Sequence, residues 1–182
     1  MVMNVLLVLV AAVAVFLVYA AMRPDTFRVE RHVVIDRPAE EIFPLIDDFH
    51  AWRRWSPWED LDPALRRTYG GAERGKGAVY EWGGNSRAGT GRMEIVRSDA
   101  PTHVTIELAF IKPFRAENAS AFDLEAQGSR TAVSWAIYGP LPFISKVMGV
   151  FVSMDRLMGK DFERGLARLK AVAEAPPAGL PQ

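Results

Sequence analysis

The chain has 182 residues, with 22 basic and 22 acidic side chains and a formal net charge of zero. That balance leaves no bulk positive field to attract nucleic acid. The absence of cysteine excludes disulfides, thiolate nucleophiles and cysteine metal sites.

The first 22 residues carry no charge, and from Val5 to Met22 only Tyr19 has a polar group. Spanning a bilayer takes about 20 apolar helical residues. Residues 1–23 therefore predict a transmembrane helix, followed by a linker at 24–28. The run is apolar all round, unlike the striped surface of a core helix. A cleaved secretory signal is the alternative. Such signals carry a basic start and an apolar stretch of about 7–15 residues. Here no Lys or Arg precedes the run, the run is longer, and Val18-Tyr19-Ala20 matches a cleavage site only loosely. Arg23, Arg28, Arg31 and Arg37 follow the helix, so the positive-inside rule favours a cytoplasmic body. The expectation is a single-pass membrane protein with its soluble domain at 29–175.

That remainder is long enough for one domain with a sizeable core. Phe27 to Ile35 alternates and then runs apolar, as a strand does. Asp36 is a candidate cap and Pro38 suits a first turn, giving a helix to about Phe49 with Ile42, Leu45, Ile46 and Phe49 on one face. A Trp- and Pro-rich stretch, Trp52 to Trp58, precedes one helical turn near Asp62. From Leu65 to Tyr138 the pattern has period two. Its breaks fall at Gly70-Gly71, Gly75 to Gly77, Gly83 to Asn85, Asp99 to Pro101, Pro113 and Gln127-Gly128, which predicts six further antiparallel strands. A single helix from about Leu141 to Ala175 closes the fold. Its apolar face is built from Val147, Phe151, Met154, Met158, Phe162, Leu166 and Leu169. Gly149, Gly159 and Gly165 weaken that helix by propensity, so packing has to hold it. The tail, 176–182, is too short and too rich in Pro and Gly to fold. The plan is α+β, a seven-stranded antiparallel sheet covered on one face by the closing helix.

Alternation separates the faces of the sheet. The inward face takes Tyr80, Trp82, Met93, Ile95, Val104, Ile106, Leu108 and Phe110. It continues through Phe114, Ala116, Asn118, Ser120, Phe122, Val133, Trp135 and Ile137. The outward face holds the charges, among them Glu81, Arg92, Glu94, Arg97, Glu107, Arg115, Glu117 and Asp123, placed to pair across strands. Inward polar groups are few: Tyr80, Asn118, Ser120 and two indole N–H groups. An aromatic, apolar wall with a few hydrogen-bonding groups has the makeup of a ligand pocket; an ordinary filled core is the other reading. Trp52, Trp55 and Trp58 admit three roles: stacking on a ligand, sitting at a membrane interface, or packing under the sheet to fix a loop. His32, His50 and His103 are scattered and lack acidic partners at ligand spacing, so no metal is expected. The glycine pairs are hairpin glycines with no strand-to-helix phosphate loop after them, and no cofactor is expected.

Three segments carry a family resemblance: RHVVIDRPAEEIFPLIDDFHAWRRWSPW, FIKPFRAENASAFDLE and MGVFVSMDRLMGKDFERGLARLK. They resemble the helix-grip fold shared by steroidogenic-acute-regulatory-related lipid-transfer domains, plant pollen-allergen proteins and bacterial polyketide cyclases. The local match is closest to the bacterial polyketide cyclase/dehydrase and lipid transport group of the SRPBCC superfamily, over Val29 to Ala173. The resemblance implies a cavity between sheet and closing helix that takes a small hydrophobic or lipid-like ligand, in a protein of the bacterial inner membrane. The ligand contacts expected from the inward face, the Trp-rich segment and the closing helix are Trp55, Trp58, Tyr80, Trp82, Asn118, Ser120, Trp135, Phe151, Met154 and Met158. No catalytic motif of the family can be matched residue by residue. Two alternatives remain. One is a cyclase- or dehydratase-type enzyme working through Tyr80, Asn118 and Ser120 by positioning and hydrogen bonding. The other is a protein-interaction module with a filled core, resembling the chaperone-activator branch.

Overall fold

The structure, a computed structural model, describes residues 2–150 and 153–176. Helix α1 spans Val2–Ala21. Its side chains are exposed except for half-buried Phe16 and buried Ala20. Strand β1 (Thr26–Ile35) begins inside the segment expected to be linker. Helix α2 (Ala39–Asp47) and a 3-10 turn at Ala51–Arg54 follow. Strands β2 (Arg66–Gly71), β3 (Ala78–Gly83), β4 (Thr90–Asp99), β5 (His103–Lys112), β6 (Ala116–Gln127) and β7 (Arg130–Pro140) come next, then α3 (Phe143–Met148) and α4 (Met154–Glu174). The strands form one seven-stranded antiparallel sheet in the order β1-β7-β6-β5-β4-β3-β2. Helix α4 lies against β1 and covers the inward face. This is the α+β plan that the pattern of alternation predicts, in the helix-grip arrangement that the resemblance implies.

The face assignment holds through the middle of the sheet. Ile95, Ile106, Phe122, Val133, Trp135 and Ile137 are buried. Arg92 on the other face sits 2.7 Å from Glu94 and 3.8 Å from Glu81. A bulge makes this possible in β4. Ile95 pairs with Ile106 and Arg97 with Thr105, so Val96 is an extra residue that keeps Ile95 inward and Arg97 outward. At one end the assignment fails. β5 stops at Lys112 and β6 starts at Ala116, so Phe114 sits in the connecting turn, 82% exposed, and Ala116 is exposed too. Alternation carries no information where the strand has ended.

Three other expectations are corrected. Asp36 does not cap α2. Pro38 is the cap residue, without a side-chain bond, and the Asp36 backbone N–H donates to Glu174 Oε1 at 2.7 Å. The short helical turn lies at Ala51–Arg54, not near Asp62. The closing helix is two helices. Ser153 has an extended backbone (ψ 149°) and caps α4 by accepting from the Arg156 N–H at 3.2 Å, so one helix cannot pass through it. The glycines of α4 do follow from packing. A Cβ on Gly165 would lie 2.7 Å from the Trp135 ring, and one on Gly159 2.1 Å from the Arg31 guanidinium. Arg31 in turn holds Asp155 at 2.7 Å and Glu163 at 2.8 Å, clamping α4 to β1.

Asp47, at the end of α2, is 8% exposed and its Oδ1 has no partner among the described residues. Burial pushes its pKa up and Asp48 adds to the effect, while Arg74 partly offsets it. A carboxyl whose folded pKa is raised contributes stability below its unfolded pKa, and loses it as pH rises through the folded value. Asp47→Asn should therefore raise the thermal midpoint at neutral pH. The advantage should shrink as the pH is lowered towards the carboxylate range. Equal midpoints for the two proteins at neutral pH would contradict this assignment.

Candidate ligand-binding cavity

A cavity of about 510 Å³ lies between the inward face of the sheet, the segment 52–65 and α4. Ligand pockets commonly measure about 300–1,000 Å³. Tyr80, Trp82, Met93, Leu108, Phe110 and Ile137 form the sheet wall. Trp52, Ser56, Trp58, Glu59, Leu61 and Leu65 form the facing wall. Arg87 and Ala88 of the β3–β4 turn and Met158 and Asp161 of α4 complete the lining.

Local bonds hold these walls apart. The Trp52 and Trp55 indoles donate to the carbonyls of Ile46 and Leu45, at 2.8 and 2.7 Å. These carbonyls belong to the last turn of α2, which has no intrahelical donors left for them. The bonds draw the Trp-rich segment under the sheet. Trp58 then packs edge-on to Trp135 and Phe162 and presents its remaining surface to the cavity. Across from it, Trp82 donates to Ala88 O at 3.0 Å, and its ring lies so close over Gly91 that a Cβ there would be 2.3 Å away. Asp62 accepts from the N–H groups of Ala64 (2.9 Å) and Asn85 (2.7 Å), tying the 52–65 segment to the β3–β4 turn.

One polar cluster enters the lining. Glu59, its side chain only 9% exposed, accepts from the Tyr80 hydroxyl at 2.8 Å and from Arg67 Nε at 2.6 Å. Burial, reinforced by the bond to Glu59, holds the Tyr80 phenol far above its ordinary pKa, so it stays a donor. Partial burial works against the Arg67 charge, but the Glu59 bond and charge more than offset it and its pKa is raised. The carboxylate is thus ion-paired behind the cavity and hydrogen-bonded in its wall. The charged residues of the lining are acidic Glu59 and Asp161 and basic Arg87.

The cavity brings together Trp58, Tyr80, Trp82 and Met158 of the residues expected at a ligand site. Trp55 and Trp135 are fully buried one layer behind it, 5.5 Å apart, with Trp135 stacked on Phe162 and Phe122. Ser120 is committed to the core: it accepts from Trp135 Nε1 at 2.9 Å and donates to Ala136 O at 3.0 Å. Asn118 lies against Gly139, where a Cβ would meet its Oδ1 at 2.2 Å. Met154 packs on the core outside the lining. Phe151 lies outside the described residues. The residues missed are Ser56, Glu59, Leu61 and Leu65, in an irregular segment with no period to read, and Arg87, Ala88 and Asp161, which turn and helix geometry bring to the lining. The histidines also differ from expectation. Each has a carboxylate neighbour, as in His103–Asp123 at 2.6 Å, although no cluster of three metal-ligating side chains occurs among the described residues.

An antiparallel sheet gripping a long helix around an apolar cavity defines a helix-grip domain of the kind that takes small hydrophobic molecules. Residues 26–174 match the family model for polyketide cyclase / dehydrase and lipid transport, and the chain belongs to that family. No curated protein sequence matches it. Among solved structures it is similar to protein CV1439 from Chromobacterium violaceum, with a TM-score of 0.57 and 14% identity over 85% of this chain and 100% of the other. It is also similar to the di-domain aromatase/cyclase BexL of the BE-7585A biosynthetic pathway (TM-score 0.57, 15% identity, 88% of this chain and 54% of that one). A third is DynU16, from the dynemicin biosynthetic locus (TM-score 0.58, 14% identity, 84% and 48%). At such identities the likeness is one of fold.

Proposed function

We propose that the protein is a membrane-anchored binding module for a small hydrophobic or lipid-like ligand held between the sheet and α4. The observation that carries this reading is the cavity of about 510 Å³ with its mainly aromatic and aliphatic walls. The largely uncovered apolar surface of α1 supports the anchor, because a hydrocarbon environment makes a 20-residue helix with a mostly exposed apolar surface favourable. The basic residues after α1 favour a cytoplasmic body. The wall chemistry narrows the ligand. With two acidic groups and one basic group in the lining, a neutral molecule with a hydroxyl or amine donor suits the Glu59–Tyr80 pair, and a dianion does not. The open volume weighs against an interaction module with a filled core.

The test is titration of the full chain in lipid nanodiscs with a fluorescent fatty-acid or sterol probe, read by energy transfer from Trp58 and Trp82. Saturable transfer, displaced by excess unlabelled ligand and absent from empty discs, is the expected result. Non-saturable transfer equal to that of empty discs across a varied apolar panel would refute the binding reading.

An enzyme of cyclase or dehydratase type is favoured by one observation, the Glu59 carboxylate in the cavity wall. If the site only binds, Glu59→Gln should leave affinity for a purely apolar probe nearly unchanged. If it turns a substrate over, the same substitution should abolish turnover.

A further inference from the structure

Antiparallel pairing places one set of strand ends together: Thr26 opposite Pro140, Gly83 opposite Thr90, Thr90 opposite Lys112, and Phe110 opposite Ala116. This is the end from which α1 departs. Outside α1 and Met22, the exposed large hydrophobic side chains among the described residues are Val34, Leu157 and five in the segments at this end. Those five are Ile111 at the end of β5, Phe114 of the β5–β6 turn, and Phe143 (50% exposed), Ile144 (66%) and Met148 (67%) of α3. The opposite turns, at 36–38, 72–77, 100–102 and 128–129, contain none. An apolar cluster this concentrated marks an interaction surface more often than scattered single residues do.

The turns that flank this apolar cluster are basic. Segments 22–26, 84–89, 111–115 and 141–148 carry Arg23, Arg87, Lys112, Arg115 and Lys146 against Asp25, while the acidic side chains of this end, Glu59, Asp60 and Asp62, belong to the segment before β2. Helix α3 is also fastened to α1. It packs on α1, and the segment that follows α1 is tied to it as well: buried Lys146 is ion-paired with Asp25, and the Leu141 N–H just before α3 donates to Asp25 O at 2.6 Å. If α1 spans a bilayer, α3 has nowhere to be except at its surface. Apolar side chains flanked by basic ones are what an interfacial segment presents to anionic headgroups.

We propose that this end of the domain docks on the bilayer through α3 and the β5–β6 turn, so that the cavity opens towards the lipid headgroups and takes its ligand from the membrane. The proposal rests on the anchored reading of α1. The cavity's location supports it: Trp82, Phe110, Arg87 and Ala88 all lie at these strand ends or in the turn between them.

The chain lacks cysteine, so single cysteines can be introduced and labelled cleanly in the full protein. Phe114→Cys, Ile144→Cys and Ser86→Cys place an environment-sensitive fluorophore in the docking surface and in the β3–β4 turn. Val10→Cys reports on α1, and Ser129→Cys on the opposite end. The proteins are reconstituted in vesicles of equal parts phosphatidylcholine and phosphatidylglycerol, carrying nitroxide lipid either at the headgroup or deep in the chains. Labels at 114, 144 and 86 should be quenched by the headgroup nitroxide several-fold more than the label at 129, and the label at 10 by the deep nitroxide. A quenched label at 10 with unquenched labels at 114 and 144 would overturn the docking and leave the anchor standing. An unquenched label at 10 would overturn the anchor and the docking with it. Blue-shifted but unquenched labels at 114 and 144 would mean that protein, such as a second copy, covers this surface, and would equally overturn the proposal. Quenching at 114 and 144 but not at 86 would overturn the orientation of the cavity.

Discussion

Trp135→Ala should destabilise the domain by about 3–5 kcal/mol, the range for truncating a large buried aromatic. Trp135 is 1% exposed. Its ring stacks on Phe162 at 4.1 Å and on Phe122 at 5.0 Å, with Trp55 and Trp58 edge-on at 5.5 and 5.3 Å. Truncation removes all four contacts, and it deprives Ser120 of the indole N–H it accepts. Gly165 approaches the same ring and Trp55 and Trp58 pack on it, so α4 and the Trp-rich segment both lose their seat. The cavity left behind cannot collapse easily, because three separate elements define it. For a domain of this size the change corresponds to a fall of roughly 10 °C or more in the thermal midpoint. Arg92→Ala, on the opposite face of the sheet, should cost well under about 1 kcal/mol, since its pairs with Glu94 and Glu81 are partly exposed and screened. Thermal unfolding of the full chain in mild detergent, followed by circular dichroism, compares the two. Equal losses would show the strand faces to be assigned wrongly.

Met158→Trp should lower affinity for an apolar probe at least about tenfold while costing under about 1.5 kcal/mol of stability. Met158 is half-buried on α4 and lines the cavity together with Trp82 and Leu108. An indole there extends into open volume, so no packed neighbour has to move. Leu166→Trp, two turns further along α4, provides the contrast. Leu166 is 2% exposed in the filled part of the core, where overpacking costs about 1–3 kcal/mol or more. Probe titration and thermal unfolding of both variants separate the cases. Severe destabilisation by Met158→Trp would mean that the space beside it is packed. Retention of full probe affinity by a stably folded Met158→Trp protein would place the ligand elsewhere.

The sequence by itself determined the anchor-like helix and the sheet, because both rest on local periodicity. An unbroken apolar run of about 20 residues is long enough, as a helix, to cross a bilayer. Alternation with glycine and proline breaks fixes strands and their faces as far as the strands extend. It also determined which residues fill the core, since Ile106, Phe122 and Trp135 alternate with charged or small neighbours. The family resemblance, carried by the opening strand and helix, the Trp-rich segment and the closing helix, led to the same fold. Only the tertiary structure decided which aromatics face a void and which are packed. Trp55 and Trp58 are three residues apart and look alike in sequence. Trp55 is consumed by the carbonyl of Leu45 and the ring of Trp135, while Trp58 is left with a free surface on the cavity. Tyr80 gave no sign that its hydroxyl would meet a carboxylate. Glu59 comes from an aperiodic segment 21 residues away and is positioned by Arg67, Asp62 and the tryptophan bonds together. The break between α3 and α4 was equally hidden, because the apolar spacing continues across it. It appears only because α3 packs on α1 and is ion-paired through Lys146 to Asp25 in the segment after α1, while α4 is clamped to β1 by Arg31. Period reports what a single element buries. Voids, ion pairs and changes of helix direction depend on where several elements meet, and no local pattern encodes that.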